Sequence, residues 1–165
     1  MSLTYSGRIH RFGDEVNTDV ILPGRYLALR KPEDLGRHCM EGLDSDFIKR
    51  VRPGDILAVG RNFGCGSSRE HAVVALKAVG VSAIVAVSAA RIFFRNAVNL
   101  GLPVIICPEA AGALREGEEA QIALSDVSIT QAAQSWQGRP LGEEVGAILA
   151  AGGLVSRVRQ YLAAA

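Results

Sequence analysis

Apolar and polar positions follow two different periods along this chain of 165 residues. Compact apolar runs, rich in Val, Ile and Ala and bounded by Gly, Pro or polar residues, predict buried strands. Between them lie segments whose apolar residues recur at a helical spacing, which predicts helices packed on a sheet. In the first two thirds of the chain the predicted strands are 5–12, 55–59, 82–88 and 102–108, and the predicted helices are 31–43, 67–79 and 89–101.

Residues at the ends of these segments fit helix boundaries. Pro32 suits the first helical position, and Glu33 and Asp34 suit the positive end of the helix dipole. Gly42 is expected to stop this first helix, and Gly101 is expected to cap the third.

The strands at 55–59, 82–88 and 102–108 and the two helices between them form a predicted β-α-β-α-β unit. Its crossovers should be right-handed and its strands parallel. Ligands in such sheets lie outside the carboxyl ends of the strands. We therefore expect the functional site at the loop from Gly60 to Arg69, which follows the first of these strands.

Beyond Glu109 the pattern changes to short strands, predicted at 119–124 and 127–130. A loop containing Trp136, Gly138 and Pro140 then leads to two helical segments, 141–153 and 154–164. No repeat, linker or low-complexity tract interrupts the chain, so we predict a single α/β domain over residues 1–165.

Composition narrows the functional classes. A net charge of +1 with interspersed acids and bases gives no reason to expect nucleic acid or an anionic membrane as partner. The apolar window 72–90 is long enough to span a bilayer, but Lys77 and Gly80 favour a helix followed by a buried strand. The N-terminus has no signal-peptide core, which favours the cytoplasm. The three cysteines lack disulfide or metal-ligand spacing, so free thiols are expected.

The glycine-rich loop has the character of an anion-binding site. It contains Gly60, Gly64 and Gly66 and runs into Ser-Ser-Arg-Glu at 67–70, where a helix start would present free amides. Arg69 stands where a dinucleotide fingerprint needs its third glycine, and no lysine precedes the serines as a P-loop requires. Two hydroxyls, a guanidinium and free amides suit a carboxylate ligand better.

Each candidate residue in this loop also has a structural interpretation. Ser67 and Glu70 have the spacing of a capping box, which spacing alone favours over a catalytic role for Ser67. Arg69 in a first helical turn is unfavourable for the dipole, which favours a functional role. His71 fits a surface or core position better than a metal ligand.

Two further polar groups have open assignments. Asp19 lies in a polar turn, where an Asx-turn and a site role fit equally well. Arg91 and Arg95 are four residues apart on a predicted helix and fit surface positions, although Arg95 and Asn96 also lie near strand ends and fit positions facing the site.

Three motifs in order carry a family resemblance: Asn-Thr-Asp at 17–19 followed by ILPGRYL, then GRNFGCGSSREHA, then AARIFFRNAVNLGLPVI. With these motifs the chain closely resembles the small subunits of 3-isopropylmalate dehydratase and homoaconitase, which correspond to the swivelling C-terminal domain of aconitase. The resemblance runs from about Tyr5 to the C-terminus and implies a β/β/α swivelling fold.

The resemblance also implies an activity, the reversible removal and re-addition of water across adjacent carbons of a hydroxy-dicarboxylate or hydroxy-tricarboxylate. By the family motif, Ser67 is the base that takes a proton from carbon, and Asp19 belongs to the catalytic network. Ser68 and Arg69 would bind a substrate carboxylate.

A partner and a cofactor follow from the same resemblance. Family members work in a heterodimer or heterotetramer with a large subunit, which holds a [4Fe-4S] cluster, and the small subunit is active only in that assembly. This chain is expected to bind neither the cluster nor another metal.

Substrate choice in this family depends on the loop after Pro23-Gly24. Homocitrate-type members place an Arg just after the Tyr-Leu pair, where this chain has Ala28. The neutral residue favours an alkyl substituent such as that of isopropylmalate in leucine biosynthesis. Arg30, two residues further on, is a second candidate for contacting the substrate.

Two alternatives stay open from the sequence. Within the same class, the chain could serve homoaconitase or a dehydratase of another alkylmalate. From a different class, a non-catalytic carboxylate-binding module would use the same helix start.

Overall fold

The computed structural model describes residues 3–164, whose strands form one mixed sheet in the order β4-β3-β2-β1-β5-β6-β7. The strands are β1 Thr4–Phe12, β2 Ile56–Val59, β3 Ala83–Ala86, β4 Val104–Ile106, β5 Glu119–Ala123, β6 Ser128–Gln131 and β7 Gln134–Gln137. The helices are α1 Thr18–Ile21, α2 Pro32–Gly36, α3 Phe47–Arg50, α4 Glu70–Ala78, α5 Arg91–Asn99, α6 Pro108–Ala113, α7 Glu143–Ala150 and α8 Leu154–Ala164, with a 3₁₀ turn at Gly24–Tyr26.

Strand β1 joins a parallel half of the sheet to an antiparallel half. Its first part pairs antiparallel with β5, with Thr4 opposite Ala123, and its second part pairs parallel with β2, with Phe12 opposite Val59. Strands β2, β3 and β4 continue in parallel, as predicted, and β5, β6 and β7 continue antiparallel. This mixed α/β architecture confirms the predicted fold class.

The apolar runs of β2 and β3 are buried on both faces of the sheet. Leu57 and Ile84 face a core shared with α4 and α5, whereas Ala58 and Val85 face a second core closed by α6 and β5. This two-sided burial explains why these strands lack polar alternation.

The sheet curls until its two ends approach each other. The Arg139 N–H beyond β7 donates to the Ile106 carbonyl of β4 at 3.0 Å. A β-carbon at Gly138 would lie 2.7 Å from Ile105, so this close approach requires glycine. Strand β7 was not predicted, because the half-buried Trp136 is its one apolar residue and the strand therefore has no apolar run.

A buried hydrogen bond between His10 and Asp55 ties β1 to the turn before β2. His10 Nε2 donates to Asp55 at 2.7 Å, and both side chains are buried. Burial by itself raises the pKa of Asp55, but hydrogen bonds from His10 and from the Arg52 and Arg8 amides outweigh it, so this pKa lies below its ordinary value.

Several element boundaries differ from those predicted. Helix α2 begins at Pro32 as expected but ends at Gly36, and the chain continues in turns to Gly42, where the Gly42 N–H donates to Val20 at 3.1 Å. The expectation that Gly42 ends a helix was therefore wrong, because Gly42 is instead packed against α1. No helix formed by residues 3–164 combines the length and apolar character that crossing a bilayer requires.

Candidate active site

Three loops meet at the carboxyl ends of β1, β2 and β3, and one of them is the Gly60 to Arg69 loop, where the site was expected. The loop after β2 hydrogen-bonds to the loop after β1, since Gly64 N–H donates to Val16 at 2.8 Å and Thr18 N–H donates to Cys65 at 2.9 Å. It also contacts the loop after β3, where Ala90 N–H donates to Phe63 at 2.9 Å. The glycine loop is thus held by backbone bonds on both sides.

Gly64 lies where this loop packs against α5. Its φ of +78° is in the left-handed region, and a β-carbon there would lie 2.1 Å from Cγ of the Phe93 ring. Any other residue would therefore need both a strained backbone and a displaced aromatic ring.

We expect Gly64→Ala to lower the free energy of unfolding by about 2–5 kcal/mol, combining left-handed strain with overpacking. Urea unfolding monitored by circular dichroism would measure it. Gly112→Ala in α6 is the matched control, because a methyl group there meets nothing within 4 Å. Equal stability of the two variants would contradict the packing argument.

Ser67 lies at the tip of the glycine loop and is exposed to solvent. Its Oγ lies 3.1 Å from Oγ1 of Thr18, and the same Thr18 hydroxyl donates to the Ser67 carbonyl at 2.9 Å. Gly66 precedes Ser67 with a φ of +92°, which turns the chain toward Thr18. Ser67 is therefore an exposed residue on a fixed backbone, with its hydroxyl group in contact with Thr18.

The capping box predicted from Ser67 and Glu70 is not formed. Helix α4 begins at Glu70 with Arg69 as N-cap, and no side chain caps it. The cause is a tight turn in which Arg69 N–H donates to the Ser67 carbonyl at 2.8 Å, so that Arg69 stays extended and Ser67 falls outside the helix. Ser67 therefore has no capping role, and its hydroxyl faces Thr18.

Asp19 and Arg69 are brought together from separate loops as an ion pair. Asn17, not Asp19, makes the Asx-type cap, since its side chain accepts from the Asp19 and Val20 amides at 2.8 and 3.1 Å. The contact joins Arg69 Nη1 to Asp19 Oδ1, and the Arg69 side chain is about one quarter exposed. The Asp19 side chain is 58% exposed, which leaves an incoming carboxylate free to compete for the guanidinium.

The proposed specificity residues line a cavity beside the start of α4. This cavity has a volume of about 700 Å³. The cavity is lined by Ala28 and Arg30 from the loop before α2 and by Glu70 and His71 from α4. His71 thus lines the cavity, a position that the sequence did not assign to it. Leu27, Leu29, Pro32, Leu35 and Val74 supply the apolar lining.

The loop carrying Ala28 is anchored by Glu41. The Glu41 carboxylate accepts from Tyr26 Oη at 2.8 Å, from His38 Nδ1 at 2.6 Å and from Arg25 at 2.5 Å. Hydrogen bonds from the Tyr26 hydroxyl and from His38, with a lesser contribution from Arg25, lower the pKa of Glu41 and together outweigh the opposing effect of desolvation. Tyr26 also stacks on His38 with centroids 3.5 Å apart. The sequence analysis missed this anchor because its members are spread over residues 25–41.

The other candidate residues from the sequence, Ser68, Arg91 and Arg95, are exposed. Ser68 is exposed between Ser67 and Arg69, at the mouth of the site. Arg91 and Arg95 are both exposed on α5. Within residues 3–164, no three His, Cys, Asp or Glu side chains group so as to hold a metal ion, so these residues do not fit a metal or cluster site.

Thr18 is the residue that sequence reasoning overlooked. It is 1% exposed, and its hydroxyl contacts Ser67 across a sequence separation of 49. The only signal was its place in the Asn-Thr-Asp motif, and a threonine in a polar turn gave no reason to expect burial.

Comparison with known proteins supports the motifs. The family model described as the aconitase C-terminal domain matches residues 30–109. A solved structure of 3-isopropylmalate dehydratase from Methanocaldococcus jannaschii superposes with a TM-score of 0.93 at 42% identity, covering 98% of this chain and 96% of that one.

Curated relatives match over nearly the whole chain. The 3-isopropylmalate dehydratase small subunit of Caldicellulosiruptor saccharolyticus is 45% identical over 97% of this chain and 94% of its own. The 2,3-dimethylmalate dehydratase small subunit of Eubacterium barkeri is 47% identical over 92% of this chain and 94% of its own. The resemblance drawn from the three motifs is confirmed. The chain therefore belongs to the 3-isopropylmalate dehydratase small-subunit family, and its residues 30–109 match the aconitase C-terminal domain model.

Proposed function

We propose that this chain is the small subunit of a heteromeric hydro-lyase that isomerises an alkylmalate by dehydration and rehydration, with 3-isopropylmalate as the leading substrate. The observation that carries this proposal is the arrangement at the glycine loop. Ser67 is exposed, is not used as a helix cap and lies two residues from Arg69, whose guanidinium forms an ion pair with the exposed Asp19.

In the proposed reaction Ser67 Oγ, as the alkoxide, accepts the proton from the carbon next to the hydroxyl-bearing carbon. The electron pair of that C–H bond becomes the second bond of an alkene, while the hydroxyl group leaves as hydroxide with the electron pair of its C–O bond. The Lewis-acidic site expected on the large subunit would accept this hydroxide. Rehydration reverses these steps with the hydroxyl group added to the other carbon and the proton returned from Ser67. The overall reaction is a redox-neutral isomerisation that consumes no water.

A serine hydroxyl is a weak base, so its alkoxide needs stabilisation. Amides at the start of α4, the Arg69 guanidinium and exclusion of water are the means available. Arg69 and Ser68 would also hold a substrate carboxylate, with Asp19 orienting the guanidinium until the substrate arrives.

The proposed assembly includes a large subunit, in a heterodimer or heterotetramer. Asp19, Ser67 and Ser68 are all exposed in this chain, as expected for half of a site that a partner closes. In our proposal the [4Fe-4S] cluster belongs to the large subunit, as the family resemblance implies. We expect the complex in the cytoplasm.

The cavity at Ala28 supports the alkylmalate assignment. Its wall at 27–29 is Leu-Ala-Leu, which suits an alkyl substituent better than an additional carboxylate. The 2,3-dimethylmalate dehydratase relative supports a second candidate substrate with smaller substituents.

The test is turnover by the reconstituted pair of this chain and its large subunit. The substrate panel is 3-isopropylmalate, 2,3-dimethylmalate, other alkylmalates and homocitrate. Highest kcat/KM for 3-isopropylmalate supports the leading assignment, and highest kcat/KM for another member replaces it. Dicarboxylate binding by the isolated chain with no turnover by the pair would favour a non-catalytic binding module instead.

Ala28→Arg is expected to move the substrate preference toward homocitrate-type substrates. A guanidinium in the cavity can pair with the additional carboxylate and removes space from an alkyl group. We expect kcat/KM for 3-isopropylmalate to fall about tenfold or more. Ala28→Met is the control for bulk without charge, and an unchanged ranking of substrates in Ala28→Arg would contradict the role of this position.

A further inference from the structure

The buried hydroxyl group of Thr18 contacts the proposed base, and the proposed function does not yet use it. Thr18 is 1% exposed, and its Oγ1 lies 3.1 Å from Ser67 Oγ and 2.9 Å from the Ser67 carbonyl oxygen. A hydroxyl group has one proton to donate and two lone pairs that accept. The two contacts therefore cannot both receive the Thr18 proton.

While Ser67 is neutral, the number of available protons decides which group donates in each of these two hydrogen bonds. A carbonyl oxygen only accepts, so Thr18 donates its proton to the Ser67 carbonyl. The Ser67 hydroxyl must then donate its own proton to Thr18 Oγ1. In this state Ser67 Oγ keeps its lone pairs free, but it holds the proton that a base must lose.

When Ser67 loses its proton, the donor and acceptor in its hydrogen bond to Thr18 must exchange roles. An alkoxide at Ser67 has no proton and only accepts, and the one adjacent Thr18 proton is within reach by rotation about the Cβ–Oγ1 bond. The Ser67 carbonyl does not lose all its partners when this happens, because Arg69 N–H also donates to it at 2.8 Å. The cost of the rotation is therefore small.

We propose that Thr18 is a positioning residue whose hydroxyl proton switches from the Ser67 carbonyl to the Ser67 alkoxide. This inference rests on the proposed function, in which Ser67 is the base. Thr18 acts through Ser67 and does not itself contact the substrate.

The backbone holds Thr18 in the required place. Its own N–H donates to Cys65 at 2.9 Å, and Asn17 forms a bridge to the same residue. Thr18 also begins α1, which Asn17 caps. The hydroxyl group therefore has a fixed location, and only its proton is free to turn.

The test compares Thr18→Val and Thr18→Ser in the reconstituted complex, with 3-isopropylmalate as substrate. Thr18→Val keeps the shape of the side chain but removes its hydroxyl group. Thr18→Ser keeps the hydroxyl group but removes the methyl group. For Thr18→Val we expect kcat to fall about 10²-fold, the effect of losing one donor to a developing oxyanion, with KM little changed. Thr18→Ser should retain kcat within a few-fold.

The pH profile of kcat separates this role from a purely structural one. Without the Thr18 donor the alkoxide is less stable, so the limb on which the base loses its proton should move to higher pH in Thr18→Val. Asp19, Arg69 and Glu70 are the charged groups nearby, and neither variant changes them. A lower kcat in Thr18→Val with an unshifted profile would overturn the inference, as would equal losses in Thr18→Ser and Thr18→Val.

Ser67→Ala measured alongside distinguishes failure of this inference from failure of the proposed function. If Ser67→Ala keeps wild-type turnover, the base assignment is wrong, and the Thr18 inference falls with it. If Ser67→Ala loses turnover and Thr18→Val has normal kcat and pH profile, only the Thr18 inference is overturned. The Thr18 inference is supported if Ser67→Ala and Thr18→Val both lose turnover while Thr18→Ser retains it.

Discussion

Ser67→Ala is expected to lower kcat of the reconstituted complex by about 10²–10⁴-fold, the range that a general base contributes. The methyl group leaves no atom at the glycine loop tip to accept the proton from carbon. Because Arg69 and Ser68 are unchanged, KM for the dicarboxylate should change far less than kcat. Steady-state turnover at several substrate concentrations would measure both.

Stability separates this catalytic role from a structural one. Loss of a serine cap costs about 0.5–2 kcal/mol. Since Ser67 does not cap α4, Ser67→Ala should unfold close to the wild-type midpoint. Ser135→Ala, at an exposed position of β7, is the matched control. A lowered unfolding midpoint with normal turnover would identify Ser67 as structural and remove it as the base.

Arg69→Gln is expected to lower kcat/KM by roughly 10–100-fold, which corresponds to the loss of a charge-assisted hydrogen bond of about 1.5–3 kcal/mol. The guanidinium has the planar fork that matches a carboxylate, and glutamine offers neither the fork nor the charge. Both constants should change, because the loss of carboxylate binding raises KM and the loss of the positive charge beside the Ser67 alkoxide lowers kcat. Arg69→Lys should recover only part of it, because an ammonium keeps the charge but not the fork.

The control for Arg69→Gln is Arg115→Gln, which breaks an exposed ion pair to Glu118 at 3.2 Å outside the proposed site. Exposed pairs contribute about 0–1 kcal/mol, so this variant should keep both kcat and KM. Inhibition by a non-reacting dicarboxylate would give an independent measure of carboxylate binding. Unchanged inhibition in Arg69→Gln would contradict the proposed role of Arg69.

The parallel half of the fold was predictable because its signals are local. The apolar runs of β2 and β3 stand between turn residues, and their lack of alternation indicates burial on both faces. Helix α8 was predicted with the bounds it has, Leu154–Ala164. Strand β7 was missed because its pairing with β6, not an apolar pattern, makes it a strand.

The candidate site, too, was predictable in part from the sequence. Its chemistry was readable in the motifs, which placed Ser67, Arg69 and Asp19 in one site through family resemblance. Local spacing at Ser67 and Glu70 indicated a capping box, and this was wrong because the turn that bonds Arg69 N–H to the Ser67 carbonyl starts the helix later. Nothing near Thr18 in the sequence showed that its hydroxyl would be buried against Ser67.

By itself, the sequence determined the order of strands and helices in the parallel unit, the glycine loop at its carboxyl edge and the family to which the chain belongs. Such features depend on residues within a few positions of one another. Only the tertiary structure decided that Thr18 contacts Ser67, that Arg69 pairs with Asp19 and that the 27–30 loop faces α4. These contacts join residues about 40 to 50 positions apart, and they form because parallel strands bring their carboxyl-end loops to one edge of the sheet.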